Sequence, residues 1–154
     1  MPGARFSISA RRARQVGKST ATDSIKQERN ITMKKIDTKN APGAIGPYSQ
    51  GFVVGSAVYT SGQLPVDPAT GEMPAGIAAQ AEQSCKNVIA ILEAAGSSAE
   101  KVFKTTCFLA DMGDFAAFNE VYAKYFTGCP ARSCVAVKTL PKNALCEIEA
   151  AAEA

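Results

Sequence analysis

Histidine is absent from all 154 residues, and that omission removes much of the usual catalytic repertoire. Without an imidazole there is no Ser-His or Cys-His nucleophile pair and no histidine-ligated metal site. Any general base has to be a carboxylate, a lysine, a tyrosine or a thiolate. Cysteine occurs five times, at Cys85, Cys107, Cys129, Cys134 and Cys146, but never as Cys-x-x-Cys, and the lone Cys129-to-Cys134 spacing is a poor zinc signal. An odd number of thiols in apolar contexts fits a reduced, intracellular chain better than a disulfide framework. Long apolar runs are missing too: none approaches the roughly 18 residues of a membrane span, and no signal-peptide core stands near the start. A cytoplasmic protein with no membrane partner is expected.

Charge is in small excess and unevenly spread. The net charge of +3 hides a basic stretch, residues 1–32, with seven Arg or Lys against Asp23 and Glu28. Residues 33–154 hold ten basic and twelve acidic residues, so the part expected to fold is mildly acidic and argues against a nucleic-acid surface. At 154 residues, 46% of them hydrophobic, the chain suits one domain with an ordinary core. Residues 1–32 are polar, rich in Arg and Ser, and without sustained period. They read either as an organellar presequence or as upstream sequence translated ahead of a true start at Met33. The second is preferred, because Gln27-Glu28-Arg29 can be encoded by purine-rich codons resembling a ribosome-binding sequence. Either way a disordered extension is expected.

From Met33 onward the predicted order is strand, loop, hairpin, helix, strand, helix, strand, strand. Lys34 to Asp37 forms a short edge strand. Asn40 to Tyr48 is too rich in Gly and Pro for regular structure, so it is a loop that either delivers Tyr48 to a fixed place or merely packs it. Gly55-Ser56 is a two-residue hairpin signal between Gly51–Val54 and Ala57–Gly62. Gly62 ends that second strand, where a missing side chain lets backbone amides approach a ligand, or simply allows a bend. The first helix spans about Ile77 to Ala95, stops at Gly96, and carries an apolar stripe of Ala78, Ala81, Cys85, Val88, Leu92 and Ala95. A strand from Val102 to Leu109 leads to an N-cap signal at Asp111–Asp114. The helix that follows is lined by Phe115, Phe118, Tyr122, Tyr125 and Phe126. Asn119 borders that aromatic stripe, as a solvated residue or as an amide pointing into a cleft. Strand, helix, strand from Val102 to Lys138 makes one right-handed crossover with parallel strands. The fold class is α+β, a mixed sheet with two helices on one face; the uncovered face is expected to close an oligomer.

The last two strands hold the chemistry. Period-two alternation puts Arg132, Cys134 and Ala136 on one face of the first, and in the second sets Glu147 and Glu149 opposite Cys146, Ile148 and Ala150. Paired as an antiparallel hairpin about Leu140-Pro141, Cys134 falls opposite or diagonal to Glu147, within roughly 4.5 to 8 Å, so that a guanidinium, a thiol and a carboxylate line one small site. The hairpin is only the simplest connection: the Glu147 strand can also cross elsewhere in the sheet or meet Arg132 across a subunit boundary. An Arg and a Glu on neighbouring strands can equally be a surface ion pair of little worth.

Four blocks occur in order along the chain: Gly46-Pro47-Tyr48-Ser49-Gln50, Thr60-Ser61-Gly62-Gln63-Leu64-Pro65, Pro130-Ala131-Arg132-Ser133-Cys134-Val135 and Glu147-Ile148-Glu149. Together they resemble the reactive intermediate deaminase (Rid) family of enamine and imine deaminases, over essentially residues 33–152. The resemblance implies a chorismate-mutase-like fold, a homotrimer with its sheets inside a barrel, and three sites in clefts between subunits. It implies hydrolysis of short-lived 2-imino or enamine acids, made by pyridoxal-phosphate dehydratases from serine or threonine, to 2-keto acids and ammonia. By that likeness Arg132 holds the substrate carboxylate and Glu147 positions water. Tyr48, Asn119 and Cys134 match pocket residues, and Ser61 and Gly62 match the backbone facing the substrate. Two departures stand out: a short run from Phe126 to Arg132, and a last strand without the bulky branched residue often found there.

That chemistry suits the residues available. A guanidinium grips a planar carboxylate at two points, and a partly desolvated Glu147 takes a proton from water and passes one to the departing amine. Arg132 lowers the Glu147 pKa and burial raises it, so the net direction stays open. Imines hydrolyse unaided in water, so positioning and one base suffice, and no metal or cofactor is required. Cys134 need not act as a nucleophile. The competing reading is a non-enzymatic trimeric binding protein or regulator for small carboxylate metabolites. Chorismate mutase activity rests on fold analogy alone.

Overall fold

The structure is a computed structural model that describes residues 32–154; apart from Thr32, the expected disordered extension lies outside the described residues. Strand β1 (Met33–Ile36) is the short edge strand that Lys34, Lys35 and Ile36 predict, and it pairs antiparallel with β2 (Gly51–Val54). β2 turns through Gly55-Ser56 into β3 (Ala57–Thr60), Val54 facing Ala57. Gly55 has φ 60°, as expected where glycine takes the first central position of a two-residue turn. Helix α1 (Ile77–Ala94) follows, and Gly96 takes φ 83° just past its end. Then come β4 (Val102–Leu109), α2 (Phe115–Tyr125), β5 (Ala131–Ala136) and β6 (Cys146–Glu153). Asp111 Oδ1 accepts from Gly113 N at 2.7 Å and starts the turn that runs into α2.

Six strands form one mixed sheet in the order β1-β2-β3-β6-β4-β5. β4 and β5 run parallel, as the crossover requires, and the remaining neighbours are antiparallel. The hairpin expected between the last two strands does not form: β4 lies between β5 and β6, bonded to both. The crossover through α2 returns β5 beside β4, on the side that β6 leaves free. The stretch after β5 then carries the chain past β4 so that β6 fills the gap between β3 and β4.

Both helices cover one face of this sheet. Cys85, Val88, Ile91 and Leu92 of α1 pack with Phe118, Tyr122 and Phe126 from the α2 region over Cys107, Leu109, Cys146, Ile148 and Val58. At roughly 25 cal/mol per Å² of apolar surface removed from water, this layer drives the fold. The α1 stripe differs from expectation at Ala78, which is exposed, while Gln80, Ser84 and Asn87 are buried. Ser84 Oγ lies 3.8 Å from Cys146 Sγ of β6, while Gln80 and Asn87 hold loops. Asn87 Nδ2 donates to Leu64 O at 2.9 Å and Val66 O at 2.8 Å, and Gln80 Oε1 accepts from Leu145 N at 2.7 Å. Among the described residues no helix is long and apolar enough to cross a membrane.

Candidate active site split between two faces

The Gly- and Pro-rich loop before β2 is ordered by one buried side chain. Gln50 Nε2 donates to the carbonyls of Thr38, Ala41 and Pro42, and its Oε1 accepts from Thr38 N. The loop presents Tyr48 with 49% of its surface exposed, its hydroxyl accepting from Ile45 N at 3.3 Å. Ser61 ties the same loop from the other side, donating through Oγ to Ser49 O at 2.6 Å. Beyond it, Gln63 bridges to Ile148 of β6 through bonds of 2.8 and 3.2 Å. The N–H groups of Ser61 and Gln63 are thus taken, and among the described residues that of Gly62 between them meets no backbone acceptor.

Gly62 lies against Glu147. A Cβ at Gly62 would overlap Glu147 Oε1 and stand 2.8 Å from its Cδ. The missing side chain, read from sequence as room for a ligand or a bend, makes room for a carboxylate. Tyr48, Ser61, Gly62 and Glu147 line one cleft of about 440 Å³ with Ile45, Leu64, Pro141 and Glu149. Burial, and after it the neighbouring Glu149 carboxylate, raises the Glu147 pKa above the usual carboxylate value. Within one chain the direction left open by the sequence is upward, because the Arg132 guanidinium of the same chain is elsewhere.

Arg132 stands in register with Thr105 of β4, as Cys134 does with Cys107, so both side chains share the helix-covered face. Glu147 is in register with Phe108 and therefore points to the opposite face. The expected single site lined by guanidinium, thiol and carboxylate does not occur within one chain. Two causes combine: a strand lies between them, and their parities are opposed. Arg132 lines a second hollow of about 540 Å³ with Asn119, Tyr122, Phe126, Thr127 and Cys129. Its guanidinium carbon stands 4.6 Å from the Tyr122 ring centroid and 5.6 Å from that of Phe115. Asn119 Oδ1 is buried there without a hydrogen-bond partner among the described residues. Cys134 lines neither hollow; it packs half-buried against the core, its thiol pKa pushed up by burial and partly offset by Arg132. Cys107 and Cys146 are driven up by burial to about 12 and about 11, as inert core thiols. Among the described residues no three His, Cys, Asp or Glu side chains gather as a metal site.

Residues 38–154 match the family model described as endoribonuclease L-PSP. The chain belongs to that family. Among L-PSP relatives, the 2-iminobutanoate/2-iminopropanoate deaminase of Escherichia coli (strain K12) is 54% identical over 123 residues, 77% of this chain and 96% of that one. A RutC family protein of Sinorhizobium fredii is also 54% identical, over 77% of this chain and 95% of its own length. Among solved L-PSP structures, E. coli TdcF with bound serine superposes with a TM-score of 0.76 at 52% identity, covering 79% of this chain and 98% of that one. These matches bear out the resemblance drawn from the four sequence blocks, and with it the α+β fold.

Sequence reasoning missed Gln50 and Asn87, whose buried bonds shape the cleft wall, and Glu149, which shares the cleft. Glu149 carried a signal: it is two residues from Glu147 and so on the same strand face. Gln50 and Asn87 carried none, since an amide's partners cannot be read from its neighbours in the chain.

Proposed function

We propose that this protein hydrolyses reactive 2-imino or enamine acids, 2-iminobutanoate and 2-iminopropanoate in kind, to 2-keto acids and ammonia. The observation that carries this reading is the Glu147 carboxylate, seated where only glycine leaves room and with its proton affinity raised by burial and by the neighbouring Glu149. Such a group is suited to shuttle protons at working pH. The curated deaminase relative supports the same activity. The family description speaks of an endoribonuclease, but residues 33–154 hold twelve acidic residues against ten basic and no histidine, so RNA is not the substrate proposed.

The working site forms between copies. A cation on the helix-covered face and a carboxylate on the bare face cannot serve one substrate within a chain, whereas two adjoining copies can supply one each. We favour the homotrimer, with bare faces turned inward in a chorismate-mutase-like barrel. The exposed Tyr59 and Val135 on that face support burial there. In such a cleft Arg132 of one copy grips the substrate carboxylate and Asn119 borders it. The Gly62 N–H and Tyr48 of the next copy face the reacting end. Glu147 removes a proton from water as its oxygen adds to the imine carbon. The nitrogen is protonated, the C–N bond breaks, and the hydroxyl loses its proton as the keto group forms, releasing ammonia.

The test couples the protein to threonine dehydratase and follows 2-ketobutanoate release. The rate should rise with wild type and stay at background with Arg132→Ala or Glu147→Gln. Reassembling these two inactive variants at equal ratio should restore activity at about a quarter of the sites, the random chance that a wild-type Arg132 adjoins a wild-type Glu147. No rise with wild type would overturn the activity, and no restoration on mixing would overturn the shared site. TdcF with bound serine favours a second reading, a carboxylate-binding protein without catalysis; under it Glu147→Gln would leave ligand binding and every other function intact.

A further inference from the structure

Arg132 is held in an unusual way. Among the described residues its guanidinium has no salt bridge and no side-chain hydrogen bond to a protein acceptor. What touches it is aromatic: Tyr122 at 4.6 Å and Phe115 at 5.6 Å from guanidinium carbon to ring centroid. A cation over a ring face is attracted by the ring's negative quadrupole, and that attraction, unlike a salt bridge, needs no N–H donor to be given up to an acceptor.

The Tyr122 ring is itself fixed. Its hydroxyl is 2.6 Å from Thr105 Oγ1, and Thr105 is fully buried on β4. Thr105 is also the register partner of Arg132 on the adjoining strand. Backbone pairing therefore ties Thr105 to the base of the arginine, while the hydroxyl pair ties Thr105 to the ring under its head. Phe126, 4.7 Å from Tyr122, and Phe118, 5.9 Å away, close the other sides of that ring.

We infer that Tyr122, locked by Thr105, is the positioning residue that aims the Arg132 guanidinium, so that its whole donor edge is available to a substrate carboxylate. This rests on the reading of Arg132 as the carboxylate anchor. Burial raises the Tyr122 pKa to about 12, so its ring stays neutral and the arrangement is constant across the working range. A carboxylate acceptor in place of the ring would tie up the same N–H groups; an aromatic shelf holds the cation without competing with the ligand.

The test measures 2-ketobutanoate binding by calorimetry beside coupled keto-acid kinetics, on the full assembled chain. Tyr122→Leu removes the shelf and should weaken 2-ketobutanoate binding roughly 5- to 30-fold, the ratio a desolvated cation–π contact represents. Tyr122→Phe keeps the ring and should rescue most of that loss, leaving about threefold; Thr105→Val should match it. In all three KM should carry the change and kcat move less than twofold, a split that general loosening of the fold would not produce. The Arg132 Nε–H resonance, displaced by the ring current in wild type, should return to the ordinary arginine position in Tyr122→Leu only. If Tyr122→Leu does not fold, Tyr122→Phe and Thr105→Val still decide. Unchanged binding in both, or a fall in kcat with KM preserved, overturns the inference, as does absence of 2-ketobutanoate binding by wild type. Should binding follow this order while wild type fails to speed imine hydrolysis, the positioning role stands and the deaminase reading falls.

Discussion

Replacing Gly62 with alanine separates placement of the carboxylate from stability of the fold. The new Cβ would overlap Glu147 Oε1 and lie 2.8 Å from Cδ and 3.1 Å from Cγ. All three atoms belong to a side chain that can swing, and Gly62 itself does not sit in the left-handed region. The backbone therefore tolerates alanine. A displaced Glu147 rotamer costs about 0.5–1.5 kcal/mol, and the narrower unfolded ensemble of alanine offsets about 0.4–1 kcal/mol of it. Net stability should stay within about 1 kcal/mol, a melting shift of no more than about 4 °C for a chain of this size. Catalysis has no such latitude. Cδ must retreat from 2.8 Å to at least the 3.4 Å of ordinary contact, and Oε1 further still. A base misplaced by about 1 Å costs about 100-fold in rate, or about 2.7 kcal/mol of barrier. Dehydratase-coupled 2-ketobutanoate release, with a melting curve on the same sample, reads both effects. The double variant with Glu147→Gln should be no slower than Glu147→Gln alone, because both act through one carboxylate. Full activity in folded Gly62→Ala would refute the placement, and with it the role of Glu147.

Four further outcomes are expected. Glu149→Gln removes the second cause of the raised Glu147 pKa, so the acidic limb of kcat/KM against pH should move to lower pH; an unmoved limb would assign the shift to burial alone. Because the folded-state pKa of Glu147 is raised, the folded form binds the extra proton, and stability falls as pH rises from the unfolded value through the folded one. Denaturant titrations should show Glu147→Gln flattening that slope. Asn87→Leu strands the Leu64 and Val66 carbonyls and should cost about 1–3 kcal/mol, seen as a lower denaturation midpoint. Gly51→Ala meets backbone instead of a mobile side chain, its Cβ 2.6 Å from Tyr59 O, and should destabilise by about 1–3 kcal/mol or prevent folding, in contrast to Gly62→Ala.

Local patterns were legible because local physics sets them. The α1 limits followed from the apolar period and Gly96, the β2–β3 turn from Gly55-Ser56, and the parallel β4–β5 pair from the helix between them. Alternation also placed Arg132 and Cys134 on one face of β5, and Glu147 with Glu149 on one face of β6. What alternation cannot supply is the relation between strands. Cys134 and Ile148 both stand in register with Cys107, which sends Glu147 to the far side. That fact depends on β4 entering between its two successors, a contact between segments distant in sequence. Tyr122 was visible as part of an aromatic stripe, but its bond to Thr105 joins residues 17 apart and left no trace in either neighbourhood.

The strand that separates Arg132 from Glu147 has a consequence for how much protein a cell must keep. If the pair operates only where copies abut, a lone chain is chemically silent. Specific activity then drops on dilution once the solution is thinner than the association constant allows. Protection against a short-lived electrophile would switch on over a narrow range of abundance, rather than rising in proportion to the number of chains made.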